Sequence, residues 1–326
     1  MTIMDVERPV VGPLDRTARV YVAGHRGLVG SAICRLLRAE GFTDVVGWSS
    51  RELDLRDRDA VFRRFEEMRP DVVIDAAARV GGIMANSTYP ADFLSDNLRM
   101  QTNILDAAAA QRVPRLLFLG SSCIYPKFAA QPIREESLLT GALEPTNDAY
   151  AIAKIAGILG IQAVRRQYGL AYISAMPTNL YGPGDNFHPQ HSHVLPAMMR
   201  RFHEAKLGGL PAVTCWGSGT PRREFLHVDD LAAACLHLLE TYDSPDTINI
   251  GSGTDHTIAQ IADMMAETVG YDGDIHWDAS KPDGTPRKLL DVSRLKATGW
   301  KPEIPLSEGL RETYAWFLDN QDKFRR

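Results

Sequence analysis

Two short strings, Gly120-Ser121-Ser122-Cys123-Ile124-Tyr125-Pro126 and Tyr150-Ala151-Ile152-Ala153-Lys154, carry a hydroxyl, a thiol, a phenol and an amine that one small ring could meet together. A Tyr and a Lys four apart share one face of a helix. An ammonium there is expected to hold the phenol's pKa down until it can exchange a proton near neutral pH. That is the chemistry of ketone reduction. Cys123 adds a group that a plain reductase does not need. Two residues after Ser121 on an extended strand end, it is expected to point the same way as Ser121, so that a second proton carrier faces the same pocket.

Each piece also has a bland reading. Tyr-x-x-x-Lys occurs in many helices, and a lone Cys among apolar residues is usually a small buried hydrophobe. What favours chemistry is position, downstream of a nucleotide-binding signature in a chain that alternates strands and helices.

The elements that must position these groups follow from the apolar pattern. Strands are expected at residues 19–23, 43–47, 72–75, 115–119 and 171–176, and helices at 27–39, 56–68, 89–111 and 149–168. The strands are short and almost wholly apolar, as strands buried on both faces are. This pattern predicts an α/β fold, a Rossmann-type doubly wound parallel sheet covered by helices on both faces. Beyond Pro183 the elements shorten around Gly217-Ser218-Gly219, Gly251-Ser252-Gly253 and residues 281–288, which predicts a smaller α/β substrate-binding lobe over the sheet's carboxyl edge. Residues 224–240 read as a helix through Leu231, Cys235 and Leu238, and residues 247–250 as one more strand. The expected organisation is a mobile extension at 1–18, a nucleotide-binding domain at 19–184 with a return at about 225–252, and a substrate lobe occupying most of 185–326.

The nucleotide signature is Gly24-His25-Arg26-Gly27-Leu28-Val29-Gly30, directly after the first strand and opening the first helix. Missing side chains let backbone N–H groups and the helix start approach a pyrophosphate. An acid after the second strand would favour NAD, but residues 47–51 read Gly-Trp-Ser-Ser-Arg, and Arg26 lies in the glycine loop. Arginines and hydroxyls attract a 2′-phosphate, so NADP(H) is expected, with Arg26 and Arg51 near that phosphate. Asp54 is expected near the adenine and Asp57 at a helix cap.

Composition excludes several classes. A chain of 326 residues with 44% hydrophobic and 24% charged residues is an ordinary globular protein, and a formal charge of -5 argues against a nucleic-acid partner. No apolar run is long enough to cross a bilayer, and the first 18 residues carry acids and prolines where a signal peptide would carry an apolar run. Cys34, Cys123, Cys215 and Cys235 have no CxxC spacing, so neither a disulfide framework nor a zinc site is expected, and a cytoplasmic location fits. His188, His191 and His193 lack carboxylate or thiolate partners nearby, so no metal is expected there. An imidazole titrates in the useful range, which favours an acid/base role for His193 and leaves His188 and His191 as loop or capping residues.

From Val20 to Phe324 the chain resembles the extended short-chain dehydrogenase/reductase family, and within it the enzymes that epimerise and reduce nucleotide sugars. The strings that carry the resemblance are the glycine loop, residues 78–83, 120–126, Glu144-Pro-Thr-Asn147, Tyr150 to Lys154, residues 176–183, 185–189, 223–230 and 281–288. The resemblance implies a reductase triad of Ser121, Tyr150 and Lys154, and an epimerisation pair of Cys123 and His193. It implies that Leu119, Gly120, Ser121, Ser122, Tyr150, Lys154, Pro177, Thr178, Asn179, Leu180 and His193 line the cofactor. Arg201, Trp216, Arg223, Asp283 and Lys288 are implied to hold a GDP-sugar. The implied reaction inverts C3 and C5 of a GDP-4-keto-6-deoxy sugar and then reduces C4. The alternative is another NAD(P)-dependent epimerase or dehydratase on the same frame, although a dehydratase should show an acid pair where Ser122-Cys123 stands. A homodimer is implied too, joined through the helices at 89–111 and 149–168.

Overall fold

The computed structural model describes residues 11–188, 192–281 and 283–321. The first half alternates strands and helices, with two helices in succession between its third and fourth strands: β1 (Arg19–Ala23), α1 (Leu28–Ala39), β2 (Asp44–Val46), α2 (Arg58–Met68), β3 (Val72–Asp75), α3 (Ile83–Thr88), α4 (Pro90–Ala110), β4 (Arg115–Leu119), α5 (Asp148–Tyr168) and β5 (Ala171–Pro177). The rest runs β6 (Asn179–Tyr181), α6 (Val194–Leu207), β7 (Ala212–Trp216), β8 (Arg222–His227), α7 (Val228–Thr241), β9 (Ile248–Ile250) and β10 (Asp255–Thr257). It closes with α8 (Ile258–Val269), β11 (Asp274–Asp278), β12 (Arg287–Lys288), α9 (Ser293–Ala297) and α10 (Leu306–Asp319).

Six strands form one parallel sheet in the order β2-β1-β3-β4-β5-β9. The chain leaves β1 for β2 on one side and returns for β3 on the other, so a crevice opens between the carboxyl ends of β1 and β3, where such sheets bind ligands. Val20, Ile74, Leu117 and Ile173 are buried at the sheet's centre, which is why these strands read as unbroken apolar runs. Asp57 caps α2 by accepting from the Ala60 N–H at 3.0 Å. A second apolar core, around Phe187, Phe202, Met265 and Leu310, lies under β6, β7 and β8 and is closed by α6, α8 and α10.

The helix expected within residues 224–240 is present and carries Leu231, Cys235 and Leu238 on its buried face, but it starts later than expected. Glu224 to His227 continue β8, which pairs with β6 and β10, and the helix begins only at Val228. Pairing with strands distant in sequence holds these first four residues extended. From there α7 packs against α1, and β9 joins the large sheet beside β5.

Candidate active site

The crevice starts at the turn from β1 to α1. Gly24 has φ 78°, a conformation that favours glycine, and a Cβ on Gly30 would sit 2.2 Å from the Gly24 carbonyl oxygen. Gly27 stands at the N-cap of α1 with no side chain capping it, no acid in the first turn, and only the Gly24 oxygen, at 3.4 Å, near a hypothetical Cβ. Bare N–H groups at a helix start beside an open backbone fit a pyrophosphate. His25 packs its ring against Gly47, at the end of the neighbouring strand. Leu28 and Val29 open α1 and lean on the sheet core.

At the expected 2′-phosphate position Arg26 and Arg51 are exposed, and Arg26 lies 4.0 Å from Glu52. Glu52 also accepts from the Ser49 N–H at 2.8 Å and its hydroxyl at 2.6 Å. This carboxylate was not anticipated, and it shares Arg26 with any phosphate bound there. Asp54, expected near adenine, pairs with Arg56 at 2.9 Å.

Ser121, Cys123, Tyr150 and Lys154 converge at the end of β4 and along α5. Their arrangement differs from the one expected in two respects. Ser121 is extended, but Ser122–Ile124 form a 3-10 turn, and the Ser121 hydroxyl accepts from the Cys123 N–H at 3.3 Å. Thiol and hydroxyl are therefore neighbours through a capped turn, not through strand alternation. Leu119 and Ser122 are buried, and Gly120 passes so close to Met176 that a Cβ would lie 2.3 Å from its sulfur.

The second difference concerns Tyr150. Burial pushes the phenol's pKa up, Cys123 pushes the same way, and the Ser121 hydroxyl opposes them. Lys154 does not pull it down. Its ammonium lies a turn further along α5, donates to the Leu119 carbonyl at 2.8 Å and sits 4.7 Å from the Phe118 ring centre. Burial pulls its pKa down to about 8, and Asp75 works against that. Asp75 closes β3 in register with Phe118, is buried, and has its own pKa pushed up to about 6 by burial, against Lys154 and the Ala77 N–H.

Pro177 ends β5, while Thr178 and Asn179 both turn side chains to the Glu224 carbonyl, at 3.4 and 2.8 Å, and Leu180 continues into β6. They mark the junction between the two cores. Glu224 itself is buried and binds the Gly253 and Leu290 N–H groups, so it is not an ion-pair partner of Arg222 or Arg223. Arg222 pairs instead with Asp255, at 2.8 Å.

The proposed substrate residues form a connected path. Trp216 is 62% exposed at the end of β7, with the Arg201 guanidinium 6.0 Å and the Lys281 ammonium 5.8 Å from its ring centre. Asp283 accepts from the Ser218 N–H at 2.6 Å and raises the pKa of Arg223, which burial lowers. Lys288 pairs with Arg223 across β12 and β8, and its ammonium reaches 3.7 Å from Cys123 Sγ. His193 stands at the N-cap of α6, and burial holds its pKa below the usual imidazole value. No hydrogen bond joins it to Cys123. His188 lies in the preceding loop, and His191 falls outside the described residues. Among the described residues no His, Cys, Asp and Glu side chains group as metal ligands would, and no helix is long and apolar enough to cross a membrane.

Two residues here went unread as site residues. Asp75 left a signal, an acid ending the otherwise apolar run Val72-Val73-Ile74. Asn147 left less, since an Asn before a helix is an ordinary cap.

A glycine turn at the switch point of a parallel sheet, with Ser, Tyr and Lys at the next strand end and helix, defines a dinucleotide-dependent enzyme acting on a carbonyl or carbinol. The chain belongs to the NAD dependent epimerase/dehydratase family, whose model matches residues 20–251. It is 58% identical to GDP-L-fucose synthase 1 of Arabidopsis thaliana over 306 residues, covering 94% of this chain and 95% of that protein. It is 57% identical to the GDP-L-fucose synthase of Escherichia coli K12, covering 94% of this chain and 98% of that one. Its fold superposes on a GDP-L-fucose synthetase from Naegleria fowleri bound to NADP with a TM-score of 0.88 at 30% identity, covering 98% and 99% of the two chains.

Proposed function

We propose that this protein converts GDP-4-keto-6-deoxy-D-mannose to GDP-L-fucose, by epimerisation at C3 and C5 followed by reduction at C4. The observation that carries the reading is a half-buried thiol set beside the Ser121, Tyr150 and Lys154 arrangement, together with relatives of that activity over nearly the whole chain. NADPH, when bound at the glycine turn, supplies the hydride that goes to C4.

The C4 ketone makes the hydrogens at C3 and C5 acidic. Cys123 takes a proton from one face, the carbon's electron pair passing into an enolate, and His193 delivers a proton to the other face. With its pKa lowered, the His193 imidazolium is scarce at neutral pH but a stronger acid when formed. Ser121 and Tyr150 hold the developing oxyanion, and Tyr150 later protonates the C4 oxygen. A phenol whose pKa is pushed up keeps its proton at neutral pH, as that donation requires. Lys154 places a positive charge behind them. Arg223 is suited to the diphosphate, because a guanidinium meets phosphate oxygens in pairs, and exposed Trp216 to packing on a base or sugar.

Arg26 is the residue proposed for the cofactor's 2′-phosphate. Arg26→Ala is expected to raise KM for NADPH about tenfold and leave KM for NADH within twofold, since one charge-assisted contact is lost only for the phosphorylated cofactor. Equal changes for both cofactors would assign the phosphate elsewhere.

A homodimer through α4 and α5 fits the exposed Ile152 and Leu159 on α5, which packs along α4. Four free cysteines fit a reducing, cytoplasmic setting. The decisive assay is incubation with GDP-4-keto-6-deoxy-D-mannose and NADPH, followed by identification of the sugar. GDP-L-fucose is expected; reduction without inversion would leave only a 4-reductase.

A further inference from the structure

Asn147 occupies the N-cap of α5, where an asparagine side chain ordinarily accepts from an N–H two or three residues on. Here it makes no such cap. Its Nδ2 instead donates to Cys123 Sγ at 3.3 Å, and its Oδ1 is buried without a hydrogen-bond partner. A buried acceptor left unmatched costs stability, and a forgone cap costs more. Such a group calls for a ligand that supplies the missing donor.

A second donor meets the same sulfur. Lys288 Nζ lies 3.7 Å from Cys123 Sγ, and among the described residues no carboxylate pairs with this half-buried ammonium. A cation out of full contact with water needs a counter-charge, and the sulfur is the group in place to carry one. The residue is brought there by β12, whose pairing with β8 sets Lys288 beside Arg223. The strand pair that carries the proposed diphosphate clamp thus also fixes the ammonium on the thiol.

Resting on the reading of Cys123 as the epimerisation base, we infer that Asn147 and Lys288 are positioning residues for its sulfur. Lys288 balances the charge of the thiolate, Asn147 Nδ2 aims it, and Asn147 Oδ1 accepts a hydrogen bond from a hexose hydroxyl beside the carbon that is deprotonated. In the step itself the C–H bond breaks, an S–H bond forms, and the electron pair moves into the enolate whose oxygen is the former C4 carbonyl. One amide would then tie the substrate's orientation to the base's.

The test uses Asn147→Asp, Lys288→Met and Lys288→Arg in the full-length protein. Aspartate is as good an N-cap as asparagine, so the start of α5 is preserved while the donor to sulfur is lost. The first readout is the rate of Cys123 alkylation by iodoacetamide in ligand-free protein at neutral pH, followed by peptide mass spectrometry, with buried Cys34, Cys215 and Cys235 as unreactive references. Lys288→Met and Asn147→Asp are expected to slow it about tenfold, and Lys288→Arg to stay within about twofold, because thiolate is the reacting form. The second readout is wash-in of solvent deuterium at C3 and C5, compared with NADPH oxidation on the doubly epimerised ketone. Asn147→Asp is expected to slow exchange about a hundredfold and the hydride step far less, about tenfold, since hydride transfer loses only the substrate contact and not the positioning of the base. Alkylation and exchange within twofold of the unaltered protein would overturn the inference, as would equal losses in exchange and hydride transfer. Exchange retained in Cys123→Ser would overturn the base assignment alone, and the alkylation rates would then decide the roles of Lys288 and Asn147 by themselves.

Discussion

In Cys123→Ser protein, exchange of the C3 and C5 hydrogens of the keto sugar with deuterated water falls by about a hundredfold to ten-thousandfold, the range for losing a general base. Serine keeps the size and the backbone turn, since Cys123 is held by its own N–H on Ser121. What it loses is the sulfhydryl that takes the proton, and a serine hydroxyl is a far poorer base in that place. Tyr150→Phe gives the opposite pattern: exchange persists at a reduced rate, because Ser121 still meets the oxyanion, whereas NADPH oxidation falls by a similar hundredfold or more as the proton donor to the C4 oxygen is gone. Following deuterium by mass spectrometry and NADPH by absorbance separates the two. Unchanged exchange in Cys123→Ser would remove the thiol from the mechanism.

The reductive half is expected to carry an alkaline limb set by Lys154. Burial disfavours its ammonium and holds the pKa at about 8, so the charge is present below that pH and lost above it. If the oxyanion and the phenol need that charge, kcat/KM for reduction falls above about pH 8, approaching tenfold per pH unit. Asp75 supports the ammonium from the end of β3, so Asp75→Asn moves the limb to lower pH. The amide can still accept from the Ala77 N–H, as the carboxylate does at 3.1 Å, which keeps the local fold. Because the Asp75 pKa is pushed up to about 6, the unaltered protein loses the same support below that pH as the carboxylate takes up a proton. A limb that stays in place in Asp75→Asn would separate the carboxylate from Lys154.

The large sheet was legible because its signals are local. Val72–Asp75 and Arg115–Leu119 are apolar runs bounded by polar turns, and the strands lie at the expected residues. The glycine turn was legible for the same reason, since Gly24 and Gly30 stand where a backbone needs positive φ or close approach. The helix carried by Leu231, Cys235 and Leu238 is where their spacing put it, but its start was set too early, because Glu224–His227 pair with Asn179–Tyr181 and Asp255–Thr257, partners that no short window contains. The Ser121 to Cys123 turn misled because extended and 3-10 conformations of three small residues differ little in local preference, and the hydrogen bond to the Ser121 hydroxyl decides between them. Lys288 was read among residues for the GDP-sugar, and nothing adjacent to it in the chain points to a thiol.

Residue types and their short-range spacing therefore determined the parallel sheet, the dinucleotide turn and the presence of a phenol, an amine and a thiol near one strand end. They could do so because strand burial, glycine backbone freedom and helical facing act over a few residues. Only the folded chain decided which groups meet the sulfur. Lys288 lies 165 positions from Cys123 and Asn147 lies 24, and their meeting depends on β12 pairing with β8 and on where α5 starts beneath the end of β4. Likewise the charge on Lys154 answers to Asp75 through the register of β3 with β4. Long-range pairing sets those distances, and with them the protonation states on which the chemistry turns.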